Sequence, residues 1–75
     1  MTRLPRITAS ELLRALRRDG WYPDRQKGGH IQMRHPEKAG RVTIPVHPGE
    51  IVKPKVLLTI LVQASLSADE LRSLL

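Results

Sequence analysis

The sequence has no cysteine and no phenylalanine, and its aromatic residues are one tryptophan and one tyrosine, the adjacent pair Trp21-Tyr22. Without cysteine there is no disulfide framework and no thiolate metal site, which fits a reducing compartment. So few aromatics leave little for base stacking of the kind that single-strand readers use. No apolar run approaches the roughly 20 residues that span a bilayer; the longest, Val56 to Val62, is interrupted by Thr59. Met1-Thr2-Arg3-Leu4-Pro5-Arg6 lacks the apolar stretch of about 7–15 residues found in signal peptides. The expectation is a cytoplasmic protein without a membrane partner, folded as a single domain over residues 1–75.

Acidic residues are scarce where basic ones gather. Residues 1–41 contain ten Lys/Arg and four Asp/Glu, an excess of six, which is the whole formal charge of +6. In the remainder Lys53, Lys55 and Arg72 are balanced by Glu50, Asp69 and Glu70. A one-sided excess of this kind is the footprint of a polyanion-binding surface, and it points to nucleic acid.

Thr8-Ala9-Ser10-Glu11 is a capping box, with Ile7 and Leu12 as its hydrophobic staple. It opens a helix that buries Leu12, Leu13, Ala15 and Leu16 and turns Arg14, Arg17 and Arg18 to water. Gly20 ends this helix, and Trp21 folds back onto Leu16 in the Schellman manner. The period then changes to two. A polar run, Pro23 to Lys27, leads to the hairpin signal Gly28-Gly29. Ile31 and Met33 face one way, and His30, Gln32 and Arg34 the other. After the breaker-rich turn His35 to Gly40, Val42, Ile44 and Val46 face inward, while Arg41, Thr43 and Pro45 face outward. Pro45 cannot donate to a ladder, so this strand has an open edge there. His47-Pro48-Gly49-Glu50 is a loop. Pro54 suits a first helical position, and Val56, Leu57, Ile60, Leu61 and Ala64 make a second amphipathic helix. Lys53 and Lys55 in its first turn suggest anion binding, because free N–H groups point there. Ser67-Ala68-Asp69-Glu70 is a second capping box and opens a short last helix. The predicted order is α-β-β-β-α-α, an α+β fold in which a three-stranded antiparallel meander has helices on one face and a wet opposite face.

RNA is cleaved when a base removes the 2′-hydroxyl proton and a cation steadies the charge on phosphorus. Histidine is the usual base and Lys or Arg the usual cation. Lys27-Gly28-Gly29-His30 supplies these parts within four residues, and Arg34 lies on the same strand face as His30. The reading makes His30 the general base and assigns phosphate binding and transition-state stabilisation to Lys27 and Arg34. Gly28 and Gly29 open the approach, and Arg41, Lys53 and Lys55 extend the RNA-binding surface. His35 and His47 are read as structural, and the alternation that points His30 and His35 apart argues against a metal site. No cofactor is called for. The alternative is a non-catalytic RNA-binding module of the same fold.

Asp19-Gly20-Trp21, Lys27-Gly28-Gly29-His30, His35-Pro36, Val42-Thr43-Ile44-Pro45-Val46-His47 and Leu61-Val62-Gln63-Ala64-Ser65-Leu66-Ser67, in this order and spacing, resemble the HicA family. These are the small toxins of bacterial HicAB toxin–antitoxin modules, and the similarity runs from about Ser10 to Leu75. The resemblance implies a fold like the double-stranded RNA-binding domain, metal-independent cleavage of mRNA, and neutralisation by a HicB antitoxin. It also implies a catalytic histidine after the glycine pair, at His30. One departure stands out: the family's glycine-threonine pair at the start of the second helix is replaced by Pro54-Lys55-Val56, so that helix is expected to begin differently.

Overall fold

The computed structural model describes residues 3–75; Met1 and Thr2, part of the reading of the N-terminus, lie outside the described residues. Helix α1 spans Ala9–Arg18, strands β1, β2 and β3 span Tyr22–Lys27, His30–Arg34 and Val42–Pro45, and helices α2 and α3 span Pro54–Ala64 and Ala68–Leu74. This is the predicted order, with sheet order β1-β2-β3 and antiparallel pairing throughout.

The helix ends follow from local chemistry. The Thr8 hydroxyl accepts from the Glu11 amide at 3.2 Å, and the Glu11 carboxylate accepts from the Thr8 amide at 2.9 Å. Two otherwise orphaned N–H groups are thereby satisfied. Ile7 and Leu12 are both buried, as a staple requires. At the other end Trp21 N–H donates to Leu16 O and Gly20 N–H to Arg17 O, each at 3.0 Å, which is the Schellman pair of bonds. Gly20 takes φ +109°, a region closed to side chains. Ser67 and Glu70 repeat the capping box for α3. Helix α2 begins without a side-chain cap: Lys53 holds the cap position and Pro54 follows. Proline needs no donor there, so the departure from the family pattern is absorbed.

The core gathers Leu12 and Leu16 of α1, Trp21, Met33 of β2, Val42 and Ile44 of β3, Leu57 and Ile60 of α2, and Leu71 of α3. The helices therefore back one face of the sheet. Strand β1 differs from β2 and β3, because all six of its residues are exposed. It is held by ladder bonds to β2 and supplies nothing to the core. A bulge at Asp24, where pairing steps from Pro23↔Met33 to Arg25↔Gln32, re-aims the start of this strand.

One contact set fixes how the sheet meets the helices. His35 Nδ1 accepts from the amides of Glu37 and Lys38 at 3.0 and 3.1 Å. Its Nε2–H is then left to donate to Asp19 O at 2.7 Å. The ring also meets Trp21 edge-on, with centroids 5.2 Å apart. Lys38 Nζ reaches Asp19 Oδ2 at 2.7 Å and Ala64 O at 3.0 Å. The β2–β3 turn is thus pinned to the C-terminal ends of both α1 and α2.

Candidate nucleic-acid interface

Gly28-Gly29 joins β1 and β2 as a two-residue turn, with Lys27 directly opposite His30. Gly28 alone of the pair has positive φ, +57°, the pattern of a II′ hairpin whose twist matches that of its strands. Directly opposed residues share a face, with Cβ atoms about 5 Å apart. The Lys27 and His30 side chains therefore leave neighbouring positions on one face, both exposed to solvent. A Cβ built on Gly28 would meet nothing within 4 Å, so the backbone at this corner is open to an approaching group. Gly29 O accepts from Val46 N–H at 2.6 Å and anchors the turn to the end of β3.

The register sets out the rest of the wet face in rows. Lys27, His30 and Pro45 form the first, and Arg25, Gln32 and Thr43 the second. Tyr22 and Arg34 form the third, with Arg41 reaching across from the start of β3 to donate to Gln32 Oε1 at 3.3 Å. Arg34 shares a face with His30 but stands four residues along the strand, about 13 Å away. It also faces Asp24 of the bulge at 3.6 Å. The structure therefore brings Lys27, Gly28, Gly29 and His30 together at one end of the sheet and leaves Arg34 and Arg41 at the other. Lys53 lies beyond the β3 edge and lines one cavity with Pro45, the cross-strand partner of His30. Lys55 is exposed in the first turn of α2.

Three site features were missed in the sequence reading. Arg25 belongs to the middle row; its even spacing from Lys27 was a usable signal. Tyr22 comes to the same face only because the bulge at Asp24 reverses the alternation, which no spacing rule reveals. Lys38, counted among the surface cations, is an internal tie to Asp19 and Ala64 instead.

A helix-backed antiparallel sheet that shows an imidazole and several cations on its free face defines a class: small basic α+β proteins resembling the double-stranded RNA-binding domain. The family described as HicA toxin of bacterial toxin-antitoxin matches residues 9–66, which take in the first helix, the whole sheet and the second helix. The chain belongs to the HicA toxin family, and so is the toxin of a toxin–antitoxin system. Among curated proteins, no relative matches it. No described helix is long and apolar enough to cross a membrane.

Proposed function

We propose that this protein is a metal-independent endoribonuclease that cleaves mRNA and is silenced by a HicB-like antitoxin. It would act in the cytoplasm as one domain over residues 1–75. The observation that carries the reading is the direct pairing of Lys27 with His30 across an open glycine turn. His30 removes the proton from a ribose 2′-hydroxyl, and the 2′-oxygen attacks the adjacent phosphorus. The P–O5′ bond breaks, leaving a 2′,3′-cyclic phosphate on one fragment and a 5′-hydroxyl, protonated from solvent, on the other. Lys27 is the cation nearest this centre and steadies the charge that builds on the phosphoryl oxygens. Arg34 and Arg41 meet phosphates further along the strand, and Lys53 and Lys55 those beyond the β3 edge. Among the described residues the first row, Lys27, His30 and Pro45, holds one imidazole and no second acid–base group to protonate the leaving oxygen, so turnover is slow.

Purified protein with labelled mRNA in EDTA, beside His30→Ala at matched concentration, tests the proposal. A positioned general base contributes about 10²–10⁴-fold, so the variant should lose at least about 100-fold in cleavage rate while still binding RNA. Equal cleavage by both proteins, or binding without cleavage by the parent, refutes the enzyme; the second outcome instead supports a non-catalytic RNA-binding module. A HicB-like partner should abolish cleavage by covering the His30 face, with association that slows as salt rises. Inhibition that leaves His30 open to small imidazole-modifying reagents would rule out occlusion.

A further inference from the structure

Beyond the edge of β3 lies a cavity of about 250 Å³, which shares Pro45 with the row that holds His30. Its apolar wall is Ala9, Pro45, Ile51, Val52 and Val56. His47, Glu50 and Lys53 supply the polar part of the lining. The turn His47-Pro48-Gly49-Glu50 closes with Glu50 N–H donating to His47 O at 3.1 Å, which sets these two side chains at opposite ends of one tight bend. The following segment is held down as well: Thr8 and Ile51 bridge as antiparallel partners, and Val52 N–H donates to Ile7 O at 2.9 Å. Neither Glu50 nor Lys53 forms an ion pair among the described residues. The result is a preformed pocket with an apolar slot, a free carboxylate and a free ammonium.

Its position says what fits. Pro45 is both the cross-strand neighbour of His30 and part of the cavity wall, so the near wall of the pocket stands one strand spacing, about 4.8 Å, from the strand that carries the imidazole. A polynucleotide with one phosphate at Lys27 and His30 would have a neighbouring base within reach of that slot, because the two share Pro45. We infer that this cavity is a nucleobase subsite that receives the base flanking the cleaved linkage and sets cleavage-site preference. The inference rests on the endoribonuclease reading for the meaning of that preference. Pro45, Ile51 and Val56 cover the flat apolar faces of the base, Lys53 meets its phosphate, and the Glu50 carboxylate accepts from its amino group. A carboxylate accepts well from the amino groups of cytosine, adenine and guanine. Uracil offers one N–H between two carbonyl oxygens, which a carboxylate repels. The subsite therefore takes amino-bearing bases and rejects uracil, by about tenfold for a single carboxylate contact.

The test uses the full-length His30→Ala protein and four RNA pentamers, UUNUU with N each of the four bases. Affinity is measured directly, and the Ile51, Val52 and Val56 methyl signals are followed by NMR. The G, C and A pentamers should shift these methyls and bind about tenfold more tightly than UUUUU. Glu50→Gln, an exposed and isosteric change, should shrink that difference to about twofold or less. Methyls that stay still with every pentamer, or affinities that ignore the central base, overturn the subsite. The parent protein is assayed in parallel for cleavage of UUGUU. Cleavage with silent methyls leaves the enzyme standing and removes the subsite, whereas shifted methyls without cleavage keep the subsite and remove the enzyme.

Discussion

Replacing Gly20 by alanine probes the joint on which the orientation of the sheet depends. Two penalties meet at this position. At φ +109° an L-residue is strained, at a cost of about 1–2 kcal/mol. The new Cβ would also stand 2.6 Å from His35 Nε2, closer than real contacts allow. The imidazole must then move, and its hydrogen bond to Asp19 O and its edge contact with Trp21 weaken together. Those interactions are worth about 0.5–1.5 kcal/mol each, which brings the total to about 2–5 kcal/mol. A domain of this size has only about 4–11 kcal/mol in all, so the urea midpoint should fall by at least about 1 M. The diagnostic measurement is a double-mutant cycle. In a His35→Ala background the clash is gone, and Gly20→Ala should cost only the backbone strain, about 1–2 kcal/mol. Equal costs in the two backgrounds would show that the histidine is not the obstacle. A cost below about 0.5 kcal/mol in the parent would show that the left-handed backbone is not needed.

Three further outcomes follow from named contacts. Lys38→Met removes a partly exposed ammonium from Asp19 Oδ2 and Ala64 O, and should lower stability by about 1–2 kcal/mol after allowing for screening by water; no change in thermal midpoint would mean that the tie is idle. Glu11 and Glu70 are held below the ordinary value of 4.5, chiefly by hydrogen bonds from the backbones of Thr8 and Ser67 and then from their hydroxyls. A lowered folded-state value means that the native state binds fewer protons, so this stability is complete above pH 4.5 and is lost as pH falls through the lowered values. The joint Glu11→Gln, Glu70→Gln variant should show a flatter acid limb in thermal melts, and an unchanged limb would contradict the assignment. For RNA binding, Lys27→Ala should reduce the slope of log K against log salt by about 0.7, whereas Arg14→Ala, on the helix side away from the open face, should leave it unchanged; equal effects would mean that RNA does not follow the sheet.

Much of the fold is legible along the chain because the forces that specify it are local. Capping boxes close through residues three apart, the Schellman turn needs only Gly20 and its neighbours, and alternation in β2 and β3 sorts apolar from polar residues two at a time. Strand β1 shows where that logic thins: Tyr22 to Lys27 has no apolar alternation, and what holds it is pairing to β2 through the glycine turn. The adjacency of Lys27 and His30 could be read from a two-residue loop. The separation of Arg34 from them was present in the same spacing, but its engagement with Asp24 was not.

By itself the sequence determined the order of elements, their ends, the buried stripes, and the placing of one imidazole beside one ammonium, because each depends on residues within a turn or a hairpin of one another. Three things were decided only in the folded structure. A bulge brought Tyr22 to the basic face, the β2–β3 turn locked onto two helix ends through His35 and Lys38, and the loop before α2 folded against the start of α1 to form a pocket at the sheet edge. The last two arise only when helices and sheet pack together, since their partners lie about 15–45 residues apart and share no local pattern.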